Sequence, residues 1–189
     1  MARRVGSEPE AGRDVTSVLN SLRRVVRAFR AMAQVAQDVL GVSGAQHFVL
    51  QKLADAPALS LNDLAARTMT HKSSVSVVVK RLVDRGYVRR RKSSADGRGI
   101  VLTLTPAGRR AIARAPDSAQ TRLIAALRRL PRHDLASFAR LFERFTGELG
   151  VGTLEPVMLF EDEAGAWRSG PPARQRRRRS GRSTRIRGS

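Results

Sequence analysis

The chain has 189 residues, which suits one domain with appended tails. It carries 36 Lys and Arg against 16 Asp and Glu, a formal charge of +20 and a pI of about 11.9, so a polyanionic partner is expected, nucleic acid first. Apolar residues make up 41% and aromatics 4%, enough for a helical core of Leu, Val and Ala, and the lack of cysteine excludes disulfides, thiolate metal sites and thiol redox sensing.

Residues 1–13 read as a flexible leader. A long amphipathic helix is expected over 14–40, where Val15, Val18, Leu19, Leu22, Val25, Val26, Phe29, Met32, Ala36 and Val39 recur at spacings of three and four. Arg23, Arg24, Arg27 and Arg30 lie off that stripe, as a solvated face would, and Gly41 marks a stop. Ser43 can cap a second helix with Phe48, Val49 and Leu53 turned inward, ending before Pro57. Ser60-Leu61-Asn62-Asp63 has the shape of a capping box and opens a short helix, 61–68. The turn Thr68-Met69-Thr70 leads into a helix over 71–85, with Val75, Val78, Val79 and Leu82 inward and Gly86 as a left-handed cap.

Tyr87 to Lys92 and Gly99 to Thr105 read as two strands joined by the turn-rich tip Ser93-Ser94-Ala95-Asp96-Gly97. Thr105-Pro106 starts a further helix, which Pro116 interrupts or kinks, with Asp117 or Ser118 as the new cap. It continues through Leu123, Ile124, Leu127 and Leu130. A last helix is expected over 132–149, carrying Leu135, Phe138, Leu141, Phe142, Phe145 and Leu149. The stretch 151–167 is weakly apolar and matches no pattern. From Arg168 onward the chain holds nine arginines and no acids, among Pro, Gly and Ser, and reads as disordered. Without those nine, 27 basic residues still face 16 acidic ones, so the body is basic at +11 without its tail.

The three histidines, His47, His71 and His133, form no sequence-local ligand pair, so neither a metal nor a cofactor is expected. No apolar run reaches the roughly 18 residues of a membrane span. The opening MARRVGSEPEAGRD lacks the apolar segment of a secretory signal, so a cytoplasmic chain with no membrane partner is expected. No nucleophile–base pair or phosphate loop is evident, which argues against an enzyme.

Residues 44–110 resemble the winged helix-turn-helix of the MarR family of bacterial transcriptional regulators. The stretches that carry the likeness are LNDLAARTMTHKSSVSVVVKRLVDRGYVRR, the wing ADGRGIVLTLTPAG, and later LIAALRRLPRHDLASFARLFERF. It covers roughly residues 15–150, and its most specific local mark is Asp96-x-Arg98 followed by Leu-Thr. The resemblance implies a mainly α fold with a small β-wing. A DNA-binding lobe, 44–105, would sit between terminal dimerisation helices, 14–43 and 106–150, followed by a tail, 151–189.

It further implies a homodimeric, sequence-specific regulator of double-stranded DNA, a repressor by steric blocking, reading a pseudo-palindromic operator from the nucleoid. Small-molecule effectors are common in the family, and nothing in the sequence identifies one. The helix 71–85 would lie in the major groove and the wing, 88–104, at the minor groove. Its outward set would be Lys72, Ser73, Ser74, Ser76, Val77, Lys80 and Arg81, hydroxyls toward phosphates and base edges, cations toward phosphates. Arg90 and Arg91 on the wing would add charge. The family places the wing arginine in the minor groove with the aspartate steadying it, roles that fall to Arg98 and Asp96. Val77 stands where the family often has arginine. Valine cannot form a bidentate contact to guanine but can pack on a thymine methyl, so reading would lean on Ser74, Ser76 and thymine methyls. The plain alternative is a solitary exposed apolar residue. A second reading of the whole chain is an architectural DNA binder of low specificity, anchored by the Arg-rich tail through phosphates.

Overall fold

The computed structural model describes residues 8–92 and 100–160. Within them the elements run α1 (Glu8–Leu40), α2 (Gly44–Asp55), α3 (Leu61–Thr68), α4 (Lys72–Asp84), β1 (Val88–Lys92), β2 (Ile100–Leu104), α5 (Pro106–Ile112), α6 (Ala119–Arg128) and α7 (Arg132–Glu148). This is a winged helix-turn-helix, α2 to β2, set between long terminal helices.

Local chemistry sets the joints. Gly41 takes φ 66° directly after α1. Ser43 then caps α2 with a complete capping box: its hydroxyl accepts from Gln46 N at 3.3 Å, and Gln46 Oε1 accepts from Ser43 N at 3.2 Å. The box expected at Ser60 is only half built. Ser60 Oγ accepts from Asp63 N at 3.0 Å, but Asp63 Oδ2 accepts from Leu59 N at 2.9 Å, one residue outside the cap. Gly86, at φ 72°, closes α4, with Tyr87 N donating to Leu82 O at 2.9 Å. Thr105 caps α5 with Pro106 in its first turn. Gly108 lets that turn lie on the backbone before the wing, since a Cβ there would fall 2.2 Å from Tyr87 O.

Two boundaries differ from the sequence reading, and at a third the structure selects one of the alternatives it left open. Residues 8–13 belong to α1 and not to a flexible leader. A proline at the second helical position has no intrahelical bond to lose, and Glu10 favours the positive end of the helix dipole. Of the two outcomes expected at Pro116, interruption is the one found: α5 stops at Ile112, and Ser118 caps a separate α6 by accepting from Thr121 N at 3.2 Å. Residues 151–160 do not start a tail. They fold back onto the body, with Met158 only 2% exposed among the core residues of the winged helix.

The core lies inside that lobe. Phe48, Val49 and Leu53 of α2, Leu64 of α3, and Val75, Val78, Val79 and Leu82 of α4 meet Val88, Leu102 and Leu104 from the wing. The strands pair antiparallel, Val88 with Leu104 through Lys92 with Ile100. Ala58 adds a short third edge, exchanging backbone hydrogen bonds of 3.0 and 2.8 Å with Leu102. The terminal helices contrast with this. α7 has no buried residue, and the apolar stripe of α1 is exposed over most of its length.

Candidate nucleic-acid interface

The recognition element of a helix-turn-helix is the second helix, here α4. Its buried stripe, Val75, Val78, Val79 and Leu82, fixes which side chains must point away from the lobe. Lys72, Ser73, Val77 and Lys80 are exposed, and Ser76 and Arg81 are half-buried. Val77 is 45% exposed. Ser74 is the exception to the expected set. It is 6% exposed and lies on the core side of the first turn, next to Val75 and one turn before Val78, so its hydroxyl is withdrawn from the outer face.

The helix starts at His71, which makes no side-chain capping bond. The first-turn N–H groups therefore present a partial positive charge where an anion can approach. Along β1, Arg90, Arg91 and Lys92 are exposed and Arg89 is half-buried, donating to Thr103 Oγ1 at 3.1 Å. The wing tip, with Asp96 and Arg98, lies outside the described residues.

Two sets of contacts brace the helices around and beyond α4. Arg67 of α3 donates to three carbonyls at the end of α2 and beyond: Pro57 O at 3.1 Å, Ala56 O at 2.9 Å and Lys52 O. Arg85, just past α4, donates to Gly41 O, and Tyr87 Oη donates to Leu40 O at 3.4 Å. The far end of α4 is thereby tied to the end of α1. A further polar joint links α2 to α6. Gln51 Oε1 accepts from Ser118 N and Thr121 Oγ1, both at 2.9 Å, and Gln51 Nε2 donates to Asp117 Oδ1 at 3.2 Å. His47 is buried beside this joint, and burial holds its imidazole below the ordinary range, against the opposing pull of the Pro116 carbonyl and Asp117. Its Nε2 has no hydrogen-bond partner among the described residues. The sequence marked Ser118 as a possible cap but carried no sign of Gln51 or Arg67, whose hydrogen-bond partners lie ten or more residues away in the chain.

The terminal helices form two clefts with α1. One, of about 630 Å3 between α1 and α6, is lined by Phe29 and Met32 with Arg24, Arg122 and Arg129. The other, of about 490 Å3 between α1 and α7, is apolar, lined by Val18, Leu22 and Val25 against Phe138, Phe142 and Phe145.

A sequence model of the MarR family matches residues 40–99, the stretch from the end of α1 through the wing. A Thauera aromatica protein assigned as a transcriptional regulator of the hcr operon is 31% identical over 144 residues, 76% of this chain and 80% of the relative. The chain belongs to the MarR family. Like its relatives it is a transcriptional regulator, and it carries the winged helix-turn-helix described above. An HTH-type transcriptional repressor of Mycobacterium tuberculosis is 29% identical over 65% of this chain and 88% of its own length. Among solved structures, wild-type MarR from E. coli aligns over 67% of this chain and 94% of that one, at 19% identity and TM-score 0.45. A MarR family protein of M. tuberculosis, crystallised with salicylic acid, aligns over 66% and 92%, at 29% identity and TM-score 0.41. No described helix of this MarR-family chain is long and apolar enough to cross a membrane.

Proposed function

We propose that this MarR-family protein is a homodimeric repressor that reads a pseudo-palindromic DNA operator with α4 in the major groove. The observation that carries the reading is one outward stripe of α4, Ser73, Val77 and Lys80 at helical spacing, beside the exposed basic edge Arg90 to Lys92 of the wing. In this reading Lys72, Lys80 and Arg81 meet phosphates, and Ser73, Ser76 and Val77 approach base edges, Val77 packing on a thymine methyl. Ser74 is left out because it is buried. Arg90 and Arg91 meet backbone phosphates, and Arg98, steadied by Asp96, enters the minor groove as the family resemblance implies. The exposed apolar faces of α1 and α7 support a two-fold dimer, which would set two recognition helices about one DNA turn apart.

An effector site is part of the same proposal. The cleft between α1 and α6 offers an apolar floor and three guanidinium groups, the chemistry of a small aromatic anion. A ligand there would bear on the joint through Asp117 and Thr121, which line the cleft and bond to Gln51 of the winged helix. It would relieve repression by favouring a helix spacing that mismatches the operator.

The test is fluorescence anisotropy over a salt series, full-length protein against residues 1–167, on the promoter region and on a scrambled duplex. The expected result is that both forms prefer the promoter by about a thousandfold. Lys80→Ala should lower the salt slope by about one. Equal binding to both duplexes, lost with the tail, would replace this reading with the architectural one.

A further inference from the structure

The segment after α7 stays on the molecule. Gly150 (φ 79°) reverses the chain, with Val151 N donating to Thr146 O at 3.0 Å. Met158 enters the core of the winged helix. Phe160 sets its ring edge-on to Phe29 of α1, centroids 6.2 Å apart at 88°. Its side chain also closes over Gly44 at the start of α2, where an added Cβ would come within 3.0 Å of it. Between α7 and these two anchors the strap passes the first turn of α4. There Glu155 Oε1 lies 3.5 Å from Ser73 Oγ, on a turn whose cap residue makes no side-chain bond.

We propose that residues 151–160 are an autoinhibitory strap, which Met158 and Phe160 anchor so that the Glu155 carboxylate occupies the phosphate position at the recognition helix. The inference rests on the DNA-binding reading above. A carboxylate and a DNA phosphate cannot share that place, because they repel each other and compete for the same hydroxyl and the same end of the helix dipole. DNA therefore binds the form in which the strap has lifted, and the measured affinity is the intrinsic one reduced by the population of that form.

The anchorage is concentrated in few residues. A cavity of about 360 Å3 lies between Pro156, Val157 and Met158 on one side and Ala65, Ala66 and Met69 on the other. Gln120 also lines it, and its buried Oε1 has no hydrogen-bond partner among the described residues. Apolar atoms facing a gap forfeit their contacts, so Pro156 and Val157 add little, and the hold falls to the core-facing side of Met158 and to Phe160.

The experiment uses the full chain. Affinity for promoter and scrambled duplexes is measured for wild type, Glu155→Gln, and Glu143→Gln as a charge control on the exposed face of α7. Hydrogen exchange of the 151–160 amides is followed with and without DNA. Glu155→Gln should bind both duplexes roughly two- to fivefold more tightly, the size of one charge at a helix N-terminus, with a melting temperature lowered by no more than a few degrees. Glu143→Gln should match wild type, and DNA should speed exchange in the strap. Three results would each overturn the strap while wild type still binds DNA. They are equal affinity for Glu155→Gln, an equal gain from Glu143→Gln, or strap amides that stay protected in the complex. Binding by Glu155→Gln where wild type fails would support it strongly. If neither protein binds any duplex, the DNA reading fails and the strap falls with it.

Discussion

The winged-helix lobe and the terminal pair α1 and α7 are built from the same kinds of residue at the same helical spacing, yet they end in opposite states. Val75, Val78, Val79 and Leu82 of α4 are all but inaccessible to solvent, whereas Val15, Val18, Leu141 and Phe142 of α1 and α7 are exposed. In the lobe, each apolar stripe meets another within about sixty residues of chain, and the loops between them are short. α1 is buried only near its end, at Ala36 and Leu40, and α7 buries no residue, so within one protomer most of their apolar surface stays uncovered. The two regions put amphipathicity to different uses: the lobe covers its apolar area internally, and the terminal helices leave theirs exposed, as the proposed dimer requires.

That contrast can be broken at either side. Leu82→Ala strikes the lobe, where it leaves a cavity between α4 and the wing. It should cost about 2–5 kcal/mol in thermal or denaturant unfolding and cooperative melting of the whole winged helix should suffer. Phe142→Asp strikes the other region. It should leave the lobe folded by circular dichroism but give a monomer in sedimentation, and affinity for a palindromic duplex should drop by about a hundredfold as the second half-site is lost. A dimer that survives Phe142→Asp would show that α7 is not the partner face. Ser43→Ala removes one half of the capping box where α1 hands over to the lobe, and should cost about 1 kcal/mol of stability.

The smallest effect should be the pH response of His47. Its pKa is lowered in the folded chain, so as pH falls through the ordinary value of about 6.5 the unfolded chain takes up a proton that the folded one refuses. Its contribution is whole above that pH and is lost as pH drops further toward the folded pKa. The melting temperature of wild type should thus fall more than that of His47→Gln between about pH 7.5 and about 5.5. Parallel curves would mean that His47 is protonated equally in both states.

Most of the fold was legible because it is written in short-range chemistry. Stripes at three and four, hydroxyl caps at Ser43, Ser60, Thr105 and Ser118, and Gly41, Gly86 and Gly150 after helices each depend on neighbours in sequence. The outward face of α4 was legible to the same degree. Lys72, Ser73, Val77 and Lys80 followed from knowing which face of α4 is apolar, and Ser74 was misread because it sits at the boundary of that face, where 100° per residue does not decide. The weakly patterned 151–160 gave no sign of its place, since a single buried methionine has no period.

The amino-acid sequence by itself determined the helices, the wing strands, the basic outward stripe and the family, all of which rest on residues a few positions apart or on a contiguous motif. Only the tertiary structure decided that Gln51 joins α2 to α6, that Arg67 ties α3 to the end of α2, that Arg85 ties the lobe to the end of α1, and that Met158 belongs to a core it follows by more than fifty residues. Those contacts depend on which surfaces remain uncovered once the helices have packed, and that is a property of the assembled shape, not of any local stretch of chain.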